Sequence, residues 1–143
     1  MEVRSLRRVT KAMFIGDVAF HVYTGSEIEK IEIVLKKWED LKAFEEVEKR
    51  GGKFVVKWRG GEAIAYLPGT NSLAIPPEEL IRFGIRVKGF EVPIPEALSL
   101  VEFGKSDFEK IRELNRSKPL NFGLLYEISS RYGLFEESKA IFN

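Results

Sequence analysis

The stretch that decides the fold reads IPEALSLVEFG KSDFEKIRELNRSKP LNFGLLYEISSRYG, from Ile94 to Gly133. A proline at the first helical position, an apolar body and a closing glycine are typical of a buried helix. The four residues that begin at Ser106 form a capping box, which starts a second helix. A third helix follows the proline and carries apolar residues on one face. We therefore predict three helices with a buried apolar set: Pro95–Gly104, Ser106–Asn115 and Asn121–Tyr132, with Leu98, Val101, Leu125 and Ile128 in the core.

The first two-thirds of the chain favours strands. Apolar residues alternate with other residues over Asp17–Tyr23 and again over Ile31–Leu35, which predicts two half-buried strands. A glycine-rich turn between Lys53–Trp58 and Glu62–Leu67 predicts a β-hairpin. One further strand is expected over Ile85–Val92.

Two helices interrupt these strands. Trp38, Leu41, Phe44 and Val47 recur every three residues between charged neighbours, and this spacing predicts an amphipathic helix ended by glycines. Two roles fit Trp38 at the helix entry, a partner-binding anchor and core packing, and we expect core packing. A short helix begins at the Pro76–Pro77 pair and ends at Gly84.

The order of these elements defines an α+β fold. We expect a mixed or mainly antiparallel sheet of about five to six strands in the N-terminal two-thirds. The C-terminal third is helical, and the helices should cover one face of the sheet. The 143 residues are expected to form a single domain, with the sheet and one helix in 1–92 and a helical subregion in 93–143.

Composition excludes several functional classes. The chain has no cysteine, so it has neither disulfides nor thiolate chemistry, and its net charge of +1 exerts no global attraction for nucleic acid. It also lacks glutamine and is rich in Lys, Arg and Glu, a composition that resembles hyperthermophile proteins. No apolar run approaches the roughly twenty residues of a membrane span. We expect a soluble, cytoplasmic protein without membrane partners.

Two clusters of basic residues are candidates for nucleic-acid binding. The first cluster lies near the N-terminus, where arginines can contact phosphate, although solvated arginines that protect an edge strand are the favoured interpretation. The second cluster lies on the hairpin, where an aromatic residue among cations can stack on a base, although an ordinary solvent-facing strand pair also fits. The candidate residues are Arg4, Arg7, Arg8, Lys11, Lys53, Lys57, Trp58 and Arg59.

No residue pattern announces catalysis. The strand predicted over Asp17–Tyr23 places His21 and Tyr23 on one face, but no second histidine or carboxylate pattern accompanies them. The glycines around Gly60–Gly61 do not form a phosphate-cradling loop. We predict no catalytic residues, no metal site and no cofactor, and an enzyme ranks third among the functional classes.

A resemblance covers roughly Ile75 to Leu134. The segment EALSLVEFGK (Glu96–Lys105) resembles a helix in the N-terminal domain of archaeal tRNA-splicing endonucleases. Glu79–Gly84 is similar to the short helix before it, and LLYEISSRYGL (Leu124–Leu134) resembles the helix that follows, with Tyr126 and Arg131 in register. In that family a second domain supplies a Tyr, a His and a Lys for RNA cleavage.

The resemblance implies a non-catalytic relative. The chain ends ten residues after Gly133, so the catalytic domain is expected to be missing, and His21 does not match the family's spacing. The implied function is an RNA-processing module that contacts structured RNA or a partner subunit. The alternative is a small protein-interaction or ligand-binding protein with no nucleic-acid role. Self-association remains open under either hypothesis.

Overall fold

A five-stranded mixed sheet forms the centre of the computed structural model, which describes residues 2–103, 108–136 and 139. Its strands are β1 (Met13–Ile15), β2 (Glu32–Val34), β3 (Glu46–Arg50), β4 (Lys53–Trp58) and β5 (Gly61–Tyr66), in the spatial order β1-β2-β5-β4-β3. The β2–β5 pair is parallel and the other pairs are antiparallel. The prediction of an α+β fold with a mixed sheet is confirmed.

Helices pack on both faces of this sheet, whereas we expected them on one face. One face packs against α1 (Glu2–Val9) and α2 (Gly16–Thr24). The opposite face packs against α3 (Pro77–Leu80), α4 (Pro95–Phe103) and α6 (Phe122–Arg131). The sheet therefore lies between two apolar layers.

The predicted C-terminal helices are confirmed where the structure describes them. They are α4, α5 (Phe108–Ser117) and α6, and the side chain of Asn121 caps α6 by accepting from the Leu124 N–H. Leu98, Val101, Leu125 and Ile128 are all buried, as predicted. The expected end of α4 at Gly104 and the capping box at Ser106 lie outside the described residues.

The strand predicted over Asp17–Tyr23 is wrong, because this segment is helix α2. Its residues are buried except at His21 and Thr24, since α2 lies between the sheet and α5. A short segment that is apolar all round has no period that separates a strand from a buried helix. The alternation of Val18, Phe20 and Val22 was therefore not diagnostic.

The helix predicted over Trp38–Val47 is also wrong. A 3₁₀ helix covers Trp38–Ala43, and the chain then enters β3 at Glu46. A repeat of three matches the three residues per turn of a 3₁₀ helix better than the 3.6 of an α-helix. Gly51 and Gly52 are accordingly the turn between β3 and β4 rather than a helix end.

The single strand predicted over Ile85–Val92 is instead a hairpin. Its strands are β6 (Gly84–Val87) and β7 (Phe90–Pro93), joined by Lys88 and Gly89 with φ of 52° and 85°. Positive φ at both central residues matches the twist of a two-residue hairpin. The hairpin packs beside the sheet because β7 lies against β1.

The hairpin predicted around Gly60–Gly61 is confirmed as β4 and β5, and a short helix follows Pro76 as expected. The edge strand considered for the N-terminal arginines is not formed, because this segment is helix α1.

Candidate nucleic-acid interface

Four exposed cations follow one face of α1. Arg4, Arg7, Arg8 and Lys11 have the spacing i, i+3, i+4, i+7, which brings residues onto one side of a helix. Val3 and Leu6 are buried against the sheet, so these cations lie on the opposite, solvent side. Lys11 lies two residues beyond the end of α1, and the Thr10 N–H between them still donates to the Leu6 carbonyl. We call these four residues the α1 stripe.

A polar groove continues from the end of α1 to the β6–β7 hairpin. Its volume is about 390 Å³, and its charged lining comprises Arg7, Lys11, Lys36, Arg86 and one carboxylate, Glu91. Four cations against one carboxylate give this groove a positive field that the whole-chain charge conceals. We call this cavity the basic groove.

Arg7 is held in a fixed position in the basic groove. Its Nη2 atom donates to the Gly89 carbonyl at 2.7 Å, and its guanidinium carbon lies 4.6 Å from the centroid of the Phe90 ring. Phe90 in turn packs edge-on against Phe14, with 5.6 Å between ring centroids. A guanidinium has five N–H donors, so donors remain for an anion after this contact is made. The planar group is already oriented before any ligand arrives.

The Lys88–Gly89 turn supports this arrangement. Its left-handed backbone directs the Gly89 carbonyl toward the groove, where it also accepts from Arg86 Nη1 at 3.1 Å. Lys36 is fixed by an ion pair with Glu91, with 2.9 Å between Nζ and Oε1. Among the residues that the structure describes, no carboxylate lies within ion-pair distance of Arg4, Arg8 or Lys11.

The structure does not bring the hairpin candidates to this surface. Trp58 is only 6% exposed, its Nε1 donates to Ser5 Oγ at 2.7 Å, and its ring packs against Phe44. A buried indole cannot stack on a base, so the predicted stacking role of Trp58 is wrong. Its burial instead fixes α1 to the end of β4.

Lys53 and Lys57 lie on the other face of the sheet from Trp58, because side chains alternate along a strand. Lys57 is 3.6 Å from Glu46, and the pocket that Lys57 lines has as many acidic as basic side chains. Arg59 is exposed in the β4–β5 turn. The two basic clusters therefore do not form one surface.

His21 and Tyr23 do not form a pair. Residues two apart point in different directions from a helix. His21 is exposed, and its Nδ1 atom is hydrogen-bonded to the Ser26 carbonyl at 2.8 Å. Tyr23 is buried and donates to the Pro93 carbonyl at 2.7 Å, and burial raises its pKa well above the ordinary value. The prediction that both share one face is wrong.

A buried polar network was missed by the sequence analysis. Lys110 Nζ lies 2.6 Å from Asp17 Oδ1 and 3.9 Å from Glu102 Oε1. Nearby, Tyr66 donates to Glu32 at 3.0 Å, and burial together with that carboxylate raises the pKa of Tyr66. No local pattern announces this network because its members come from distant parts of the chain.

Asp17 accepts three hydrogen bonds in this network, one from Lys110 and two from backbone N–H groups. Burial by itself raises the pKa of Asp17, but hydrogen bonds from Lys110 and from the backbone N–H groups of Glu29 and Lys30 outweigh it. The pKa of Asp17 consequently lies below its usual value of 3.8. These contacts hold α2, the loop at Glu29 and Lys30, and α5 together, which is a structural role. Among the described residues, no group of three or more acidic or histidine side chains has an arrangement that could hold a metal ion.

Lys36 and Arg86 were also missed as members of the basic surface. Neither stands in a cluster of like charges with the α1 stripe in the sequence, and only the β6–β7 hairpin brings them together. The spacing of the α1 stripe itself was visible, and it becomes informative once the segment is recognised as a helix.

Comparison of the chain with protein-family models, with curated proteins and with solved structures returns no match. In the part of the chain that the structure describes, no helix combines the length and apolar character required to cross a bilayer.

Proposed function

We propose that this protein is a non-catalytic, cytoplasmic module of RNA processing that binds the phosphate backbone of structured RNA. The observation that carries the proposal is the position of Arg7, which belongs both to the α1 stripe and to the basic groove. An extended anion that follows the stripe would pass directly into the groove. The resemblance to the N-terminal domain of tRNA-splicing endonucleases supports a transfer RNA or a precursor as the partner.

A phosphate polymer fits the charge distribution better than a small acid does. The cations extend over about one turn of α1, from Arg4 to Arg8, and continue beyond the helix to Lys11 in the groove, so a ligand must be extended to contact all of them. Arginine binds phosphate through paired N–H donors, and Arg7 is already oriented for such a contact. Each neutralised phosphate releases condensed counterions, which makes binding salt-dependent.

The experiment is a salt titration of binding to a tRNA-like transcript. It compares the parent with the Arg7→Ala/Arg8→Ala double variant and with Lys53→Ala/Lys57→Ala, a control that removes the same charge from the other face of the sheet. Each phosphate contact adds roughly 0.7–0.9 to the magnitude of the slope of log affinity against log salt. This magnitude should therefore decrease by about one to two in the first variant, which removes two cations. The control should keep the parent slope. Undetectable or salt-independent binding by the parent, or an equal loss in the control, would refute the proposal.

The alternative, a protein-interaction module, is favoured by one observation. Strand β3 lies at an edge of the sheet, and all five of its residues are exposed. An exposed edge can add a strand from a partner or from a second copy. Light scattering over a range of protein concentrations tests the second copy, and a constant monomer mass would exclude it.

A further inference from the structure

Trp38 is exposed and yet fixed in position. Its side chain is 50% exposed, whereas the other tryptophan of the chain, Trp58, is buried. The Trp38 Nε1 atom donates to the Pro68 carbonyl at 3.1 Å, and its ring meets Phe54 edge to face, with 5.6 Å between centroids and 89° between planes. An indole held at its polar edge and by a core ring presents part of its aromatic surface to solvent without freedom to turn away.

The backbone around Trp38 is fixed as well. The residue begins the 3₁₀ helix, and the Asp40 carboxylate accepts from the Lys37 N–H in front of it. Phe54 belongs to the buried core of the sheet. The Trp38 side chain therefore loses its conformational entropy when the protein folds and not when a ligand binds, which favours binding.

Trp38 also lies on the same side of the sheet as the basic groove. Phe14 at the groove is aligned with Ile33, then Ala65, then Phe54 beneath Trp38, and directly paired residues share a face. Three strand spacings separate Phe14 from Phe54, which is roughly 14 Å. Lys36 lines the groove only two residues before Trp38, and the exposed Lys37 lies between them.

We propose that Trp38 is a stacking platform for an unpaired base of the RNA whose backbone occupies the basic groove. This proposal rests on the proposed function and adds a preference for RNA with single-stranded nucleotides beside a paired region. Every base has a π-face, so such stacking adds affinity with little sequence preference. Lys36 and Lys37 before Trp38 are balanced by Glu39 and Asp40 after it, so the positive field that favours a polyanion here comes from the adjoining basic groove.

The test compares two RNAs that share one hairpin stem, one blunt and one with a short single-stranded tail. Three variants are measured by titration: Trp38→Leu, Trp38→Phe, and the control Phe122→Leu, which truncates a comparably exposed aromatic residue on α6. Trp38→Leu should weaken binding of the tailed RNA by about 5- to 150-fold, the range for loss of one stacked base. Trp38→Phe should retain most of the affinity. The blunt RNA, the salt slope and the control should stay as in the parent.

A second readout is tryptophan emission. Binding of the tailed RNA should quench part of the emission of the parent, and Trp38→Phe should bind the RNA without that quenching because only Trp58 remains. Thermal melting checks that each variant is folded, and Trp38→Phe keeps an aromatic ring if Trp38→Leu does not fold. Salt-dependent RNA binding that is unaffected by Trp38→Leu would overturn the stacking role alone. Absence of RNA binding in the parent would instead overturn the proposed function, and loss of a protein partner on Trp38→Leu would then identify a protein contact.

Discussion

Lys110 on α5 places its Nζ atom 2.6 Å from Oδ1 of Asp17 on α2, across 93 residues of sequence. The same ammonium group lies 3.9 Å from the buried Glu102 on α4. One ammonium group therefore links three helices at a point where two carboxylates are buried. Lys110 keeps about a third of its side chain exposed, so its own desolvation is partial.

We expect Lys110→Met to lower the free energy of unfolding by about 3 kcal/mol. That value is at the low end of the range for a broken buried ion pair, since Lys110 is partly solvated. Urea denaturation of the parent and the variant measures the difference. Arg112→Met on the same helix is the control, because that exposed side chain should change stability by less than about 0.5 kcal/mol. Equal effects in the two variants would contradict a structural role for Lys110.

The depressed pKa of Asp17 predicts a defined loss of stability in acid. The folded state holds this carboxylate ionised below the unfolded value of 3.8, so its contribution is complete above about pH 4 and disappears as pH falls through the folded pKa. Unfolding of Asp17→Asn should therefore depend less on pH between pH 4 and 2 than unfolding of the parent. Glu127→Gln, which removes an exposed acid, should keep the parent's dependence. If the free energies of unfolding of the parent and of Asp17→Asn changed with pH in the same way, the depressed pKa of Asp17 would be refuted.

The two glycines Gly89 and Gly133 provide a matched pair for testing the Arg7 anchor. Their φ values are 85° and 73°, so alanine should introduce similar backbone strain at each, on the order of 1–2 kcal/mol. Of these two residues, only Gly89 supplies a carbonyl that holds Arg7. We expect Gly89→Ala to weaken RNA binding severalfold and Gly133→Ala to leave it unchanged, while thermal melting shows comparable destabilisation. Equal RNA affinities in the two variants would show that the turn does not position Arg7 for binding.

Trp58 should matter for stability and not for binding. Trp58→Ala removes a buried ring and its hydrogen bond to Ser5, which should cost about 3–5 kcal/mol. A milder change, Ser5→Ala, should cost about 1 kcal/mol through the lost acceptor. Denaturation measures both, and RNA affinity of folded Ser5→Ala should match the parent. If Trp58→Ala lost RNA affinity without losing stability, the predicted role of Trp58 in base stacking would be supported instead.

Leu125→Ala tests the packing of α6 on the sheet. The side chain is buried in the apolar layer that α4 and α6 share, so the free energy of unfolding should fall by about 2–5 kcal/mol. Leu124→Ala, one residue earlier and only partly buried, should cost less. A change near zero at Leu125 would contradict the packing of α6.

Local signals explain which elements the sequence predicts. The β4–β5 hairpin and α4 to α6 carry their turn residues, caps and apolar periods within a few residues, and all of them appear as predicted. The Trp38–Val47 prediction fails for a local reason, since a repeat of three fits the 3₁₀ helix Trp38–Ala43, none of whose residues is buried. The prediction for α2 fails because tertiary burial decides it: α2 is covered by α5, which comes some ninety residues later. A sequence pattern cannot record a neighbour that distant.

The candidate site could also be predicted only in part from the sequence. Charge alone identified the α1 stripe, but Lys36 and Arg86 join it only through the fold. The exposed and the buried tryptophan were predicted the wrong way round because indole burial depends on remote partners. Trp58 contacts Ser5 and Phe44, whereas Trp38 contacts Pro68 and Phe54. Neither environment is visible in the adjacent residues.

The parallel pairing of β2 with β5 has a consequence for the order of folding. It joins Glu32 to Ile64 and Val34 to Tyr66, a separation of 32 residues, whereas β3, β4 and β5 are linked by tight turns. Loop-closure entropy makes distant pairings slower to form than adjacent hairpins. The β3–β5 meander should thus assemble first and serve as the template on which β2 docks. In pulse-labelling hydrogen exchange, the amides of β4 and β5 should gain protection before those of β1 and β2, so the basic groove would be completed late, when β1 brings Phe14 against the β6–β7 hairpin.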